Sequence, residues 1–157
     1  MSGRTGNGMN FRELLARDGK LVYTNRGDSM KPLIREGRDL IVVERIRQQP
    51  KRYDVILYRR DNGEYVLHRI LRKRGDGYVL CGDHQWRPEY GIREDQILGI
   101  LTAVIREGKE VPMGSLPARL YAHVWCDGFY LRAAALRARG LIRGIRRRLR
   151  KGRGRQA

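Results

Sequence analysis

Between Leu21 and Arg106 the chain is cut into short apolar runs, each closed by a turn signal within a few residues. Leu21 to Thr24 opens the series. Asp39-Leu-Ile-Val-Val-Glu, Asp54-Val-Ile-Leu-Tyr, Tyr65-Val-Leu-His-Arg-Ile-Leu, Tyr78-Val-Leu-Cys and Ile97 to Ile105 follow. Asp61-Asn62-Gly63 and Gly75-Asp76-Gly77 join neighbouring runs, and Gly-containing links of this length fit β-hairpins. A chain punctuated in this way is expected to fold as a compact, mostly antiparallel β domain over residues 21–106.

The flanks read differently. Met1 to Met9 is polar and Gly-rich and is expected to lack order. Asn10-Phe11-Arg12-Glu13 has the form of a capping box, with Asn10 as N-cap and Glu13 at N3. A short helix should run from there to about Asp18 and close at Gly19, which makes residues 1–20 an N-terminal segment with one helix. Residues 107–117, with Pro112, Gly114 and Pro117, read as a linker. Residues 118–157 read as a basic helical tail. Leu141, Ile142, Ile145 and Leu149 fall on one arc at helical spacing, and Arg143, Arg146, Arg147 and Arg150 on the other side.

Charge follows the same division. The 157 residues hold 34 Lys+Arg against 17 Asp+Glu, a net charge of +17. Eleven basic residues lie between Arg132 and Arg155, and no acidic residue follows Asp127. The basicity therefore belongs to the tail, where it can attract an anionic membrane, nucleic acid or an acidic protein. No nucleic-acid recognition motif accompanies it, which speaks against nucleic acid. Cys81 and Cys126 have no metal-like spacing and read as reduced thiols. The N-terminus has no apolar core of a signal peptide, and no stretch nears the roughly 18 apolar residues of a membrane span. The expected location is the cytoplasm, free or resting on the inner face of the membrane.

Three places can carry chemistry. Gly27-Asp28-Ser29-Met30-Lys31-Pro32 sets a serine in a tight turn, where its hydroxyl can project and unpaired backbone N–H groups can hold an oxyanion. Alone, the hexapeptide reads first as an ordinary Asp-Ser turn. His68 lies on a strand, on one face with Val66 and Ile70, while Leu67, Arg69 and Leu71 share the other. An imidazole suits a general base near neutral pH, though a single strand histidine also fits a core position satisfied by a carbonyl. Asp83, in Gly82-Asp83-His84-Gln85, can orient His68 through its far nitrogen as in a Ser-His-Asp triad, or can cap its own turn. Glu89 and Asp95 are rival carboxylates. No ligand set for a metal is present, and no P-loop or dinucleotide glycine pattern, so no metal and no cofactor is expected.

In order and spacing these elements resemble a known superfamily. Gly27 to Pro32 resembles the Ser-Met-x-Pro box of type I signal peptidases, and LexA-like self-cleaving repressors share a related box. Tyr53-Asp54-Val55-Ile56 resembles the Gly-Asp-Val-Val strand start, with Tyr53 in place of Gly. Val66-Leu67-His68-Arg69-Ile70 resembles the Val-His-Arg-Val element of the endoplasmic-reticulum type, in which histidine stands where the bacterial enzymes have lysine. Gly82-Asp83-His84-Gln85 resembles the Gly-Asp-Asn box, and Ile97-Leu98-Gly99 the closing Val-x-Gly strand. The resemblance spans about Gly27 to Val104.

The resemblance implies a mostly β serine peptidase with Ser29 as nucleophile, His68 as general base and Asp83 as third member. In some relatives the acting carboxylate lies later in the chain, which brings Glu89 into contention. The N–H groups of Gly27 and Ser29 would form the oxyanion hole. The chain is expected to lack both the membrane anchor of signal peptidases and room before Ser29 for a repressor's DNA-binding domain. It is thus expected to be a stand-alone enzyme that cleaves a leader or signal-like segment from a precursor peptide. The alternative is an inactive or self-cleaving regulatory module whose arginine-rich tail binds nucleic acid or an anionic membrane.

Overall fold

The computed structural model describes residues 10–129 continuously, together with Leu131, Ala134, Ala138 and Arg139. The expectations for Met1 to Met9 and for the Leu141–Leu149 arc lie outside the described residues.

Helix α1 (Phe11–Asp18) starts and stops on local chemistry. The Asn10 carboxamide oxygen accepts the Arg12 N–H at 3.1 Å. Gly19, at φ 68°, donates its N–H to the Leu15 carbonyl, in the left-handed conformation that costs glycine least. Strands β1 (Lys20–Thr24), β2 (Leu40–Arg45), β3 (Val55–Arg59), β4 (Tyr65–Arg74) and β5 (Gly77–Cys81) follow. Then come β6 (Glu89–Ile92), a 3-10 turn (Glu94–Gln96), β7 (Ile97–Arg106), β8 (Lys109–Pro112) and helix α2 (Leu116–Asp127).

The eight strands form one sheet in the order β1-β2-β7-β3-β4-β5-β6, with β8 added to β7. Every pairing is antiparallel. The fold is thus mostly antiparallel β with a helix at each end, the class expected from the sequence. One edge of β7 runs along β2. Its other edge is divided, with β3 taking the Ile97–Ile100 half and β8 the Ala103–Arg106 half.

Side-chain alternation along the central strands feeds two cores. Val55 and Leu57 of β3 enter the first, with Leu15, Met30, Ile34, Val43 and Leu67. Ile56 and Tyr58 enter the second, with Ile70, Tyr78, Leu80 and Ile92. Each such aliphatic side chain stabilises the fold by about 1.5–3 kcal/mol relative to exposure. Met30 follows Ser29 directly and Ile34 lies one turn further on, so the serine loop is anchored by its own apolar residues in the first core.

Two stretches differ from the sequence expectation. Residues 107–117, read as a linker, carry β8 and the first turn of α2. Glu107 and Gly108, at φ 51° and 77°, turn the chain back on itself, and Glu110 and Val111 pair with Ile105 and Val104. β6 is absent from the sequence expectation, since Pro88 stands directly before it and Gly91 lies within it. Among the described residues no helix is long and apolar enough to cross a membrane.

Candidate active site

His68 sits in the middle of β4, 1 % exposed. It pairs with Ile56 of β3 and lies on the second-core face. Its Nδ1 is 3.2 Å from the Tyr58 hydroxyl and 3.2 Å from Glu89 Oε1. The sheet explains both contacts. Tyr58 pairs with Val66, so it is the diagonal neighbour of His68 on the same face. Glu89 opposite Leu80, and Leu80 opposite Ile70, bring the carboxylate to that face from two strands away.

Burial pushes the Glu89 carboxyl up, but hydrogen bonds from His68, Arg60 and Tyr58 outweigh it and hold it at about 2. Arg60 binds both Glu89 oxygens, with Nε to Oε2 at 2.9 Å and Nη2 to Oε1. Burial, and then the neighbouring Glu89, raises the Tyr58 phenol, so Tyr58 remains a protonated donor. An ionised carboxylate beside Nδ1 favours the tautomer that carries its proton there. The basic lone pair is then on Nε2, which makes no hydrogen bond among the described residues.

Asp83, expected as the orienting carboxylate, is engaged elsewhere. Arg69 Nε and Nη2 bind its two oxygens at 2.9 and 2.8 Å, and Tyr121 donates to Oδ2 at 2.9 Å. Both partners of this ion pair are buried. The physical reason is alternation: Arg69 follows His68 on β4, so the two side chains leave opposite faces of the sheet. The structure brings Glu89, not Asp83, to the imidazole. Asp95 lies in the 3-10 turn, exposed and bound to Arg93.

Ser29 lies in the loop between β1 and β2, half-buried. Its carbonyl accepts the His84 N–H at 2.8 Å. A Cβ at Gly82 would stand 2.6 Å from the same oxygen, so only glycine permits this approach. The β4–β5 ladder pairs Arg69 with Cys81, and Gly82 follows at the end of β5. The serine backbone thus rests on the residue just past the end of β5, the strand that flanks the histidine's strand. No hydrogen bond joins Ser29 Oγ to the imidazole among the described residues. The Ser29 N–H is likewise without a hydrogen bond there, whereas the Gly27 N–H, expected as an oxyanion donor, donates to Glu36 Oε1 at 2.6 Å.

Sequence reasoning missed Tyr58 and Arg60, although Tyr58 was recoverable: once two strands form a hairpin, an aromatic two residues from the partner of His68 must share its face. It also missed Arg69, Tyr121 and Trp125. Trp125 Nε1 donates to the Asp83 carbonyl at 2.7 Å, so α2 grips both ends of that residue. Clefts of about 310 and 280 Å³ flank α2, and neither is lined by Ser29, His68 or Glu89. No cluster of three or more potential metal-ligating side chains occurs among the described residues.

A family model described as Peptidase S24-like matches residues 7–104. No curated protein is matched, and no solved structure.

Proposed function

This chain belongs to the Peptidase S24-like family, whose model covers more than half of it, and on that premise we propose that it is a serine endopeptidase acting through Ser29, His68 and Glu89. The family comprises serine peptidases and LexA-like self-cleaving domains. The observation that carries the reading is the buried imidazole held at Nδ1 by Glu89, on the strand beside β5, while Gly82 just past the end of β5 meets the Ser29 backbone.

In the proposed reaction His68 Nε2 takes the Ser29 proton as Oγ attacks the scissile carbonyl. The imidazolium is stabilised by Glu89 and returns the proton to the leaving amine. Water, deprotonated by the same nitrogen, then releases the acyl group from Ser29. The Ser29 N–H supports the oxyanion. Gly27 joins it once Glu36 swings away. Hydrogen bonds of this kind are commonly loose before substrate binds and tighten in the complex. The substrate is an extended leader or signal-like segment of a precursor peptide. Edge strand β1, which among the described residues pairs only with β2 and runs into the serine loop, offers it a backbone edge.

The test is digestion of a peptide library by the purified chain, read by mass spectrometry. Ser29→Ala should abolish cleavage without lowering the melting temperature. Glu89→Gln should lower kcat by about 10²–10⁴-fold. Cleavage that survives Ser29→Ala would overturn the reading. Serine-dependent fragments of the chain itself, formed with no peptide added and no library peptide cut, would assign it to the self-cleaving members instead.

A further inference from the structure

The face of α2 that turns away from the sheet is apolar. Leu116, Leu120 and Val124 recur every four residues and so share one arc of α2, and Leu131 lies beyond its end at Asp127. They are 69, 57, 71 and 81 % exposed. Apolar side chains scattered singly over a surface are ordinary, but a contiguous row marks an interaction site. The helix cannot roll to hide the row. Ala122, Cys126 and Phe129 on the opposite arc are buried, and Tyr121 and Trp125 are tied to Asp83.

The surrounding charge selects the occupant. Arg119 and His123 are exposed beside the row. The acidic side chain of α2, Asp127, is neutralised by Arg52 at 2.8 Å. Beyond it the sequence holds no acid, and eleven Lys or Arg follow from Arg132 to Arg155. An apolar row continuous with a cationic segment matches an anionic bilayer, whose acyl region takes the leucines and whose phosphates take the arginines. Nucleic acid would engage only the arginines and leave the row in water. At twelve residues, α2 reaches roughly 18 Å, short of the roughly 30 Å hydrocarbon core, so it lies in the interface plane.

We propose that the outward face of α2, through Leu116, Leu120 and Val124, with Leu131 beyond its end, is a docking surface for an anionic lipid bilayer. The sheet then stands on the water side, with Asp83 and the serine loop on the far side of the helix.

Flotation of the full chain with phosphatidylcholine vesicles, with and without phosphatidylglycerol, tests this. Binding is expected only where phosphatidylglycerol is present. Leu120→Glu combined with Val124→Glu should weaken it by on the order of tenfold or more, with an unchanged melting temperature because both positions are exposed. Leu120→Ser with Val124→Ser, which adds no negative charge, should weaken it in the same direction. Equal flotation of the wild type and the serine pair would overturn the proposal, as would equal binding to neutral vesicles. Failure to float, with a dimer that the serine pair disperses, would assign the face to a second copy of the chain. Failure to float with retention of an oligonucleotide would assign the arginines to nucleic acid.

Discussion

Arg69 is a guanidinium buried on a sheet face, satisfied by Asp83 on one side and by the Tyr53 carbonyl at 2.8 Å on the other. Removing one partner of a buried pair leaves an uncompensated charge at about 3–5 kcal/mol. Asp83→Asn is therefore expected to lower the unfolding free energy by about that amount in urea titrations. Glu89→Gln should lower kcat as well as removing a carboxylate that Arg60 binds, whereas Asp83→Asn should act chiefly through stability. That division was not legible from the residues alone. The Gly-Asp pair near Asp83 drew attention because it matched a motif, but which acid meets the imidazole depends on strand parity and on an unforeseen strand, β6. Ser29 and His68 could be singled out as candidates because each stands in a local pattern, a turn and a strand, whereas the close contact at Gly82 carries no such signal. Gly82→Ala tests the closest approach in the site. Its methyl group would meet the Ser29 carbonyl at 2.6 Å, and overpacking of this kind costs about 1–3 kcal/mol. Peptide cleavage should fall more steeply than stability, since the displaced atoms belong to the serine loop.

The elements legible in the sequence were those carrying their own signals. β2 to β5 and β7 are dense in Val, Ile, Leu and Tyr, and α1 is bounded by Asn10 and Gly19. β6 and β8 lack such density and form because a neighbour offers a free edge, so their pairing is tertiary in origin. The docking of α2 was equally hidden: nothing near Tyr121 or Trp125 announces a partner some forty residues earlier in the chain. Yet α2 lies beyond the residues matched by the family model, and it holds the turn whose His84 N–H supports the Ser29 carbonyl. Tyr121→Phe removes one hydrogen bond to the Asp83 carboxylate, and Trp125→Phe removes the one to its carbonyl. Each should cost about 0.5–1.5 kcal/mol in chemical denaturation. Slower cleavage in either variant, at temperatures where both remain folded, would show that the helix positions the serine loop.

For the molecule as a whole, the ion pairs set its tolerance of acid. Glu89 is held at about 2. Asp39, fully buried, is pushed up by burial but held at about 2 by Arg106 and Arg35. A carboxyl depressed in the folded state adds stability that is fully present above its unfolded pKa, about 4 for an ordinary Asp or Glu, and that is lost as pH falls through the folded value. Urea midpoints should therefore hold steady above about pH 5 and decline between there and about pH 2. Glu89→Gln and Asp39→Asn should each flatten that decline. A different constraint follows from the neighbours on β4, where the imidazole and the guanidinium leave opposite sides of the same strand. A single residue inserted into the hairpin at Asp61-Asn62-Gly63, if absorbed by sliding β4, would exchange them, setting a cation among Tyr58 and Leu80 and a ring against Asp83. Two inserted residues would restore the original facing. Length changes in that loop are thus governed by odd and even rather than by size, and lineages that vary it should do so in steps of two.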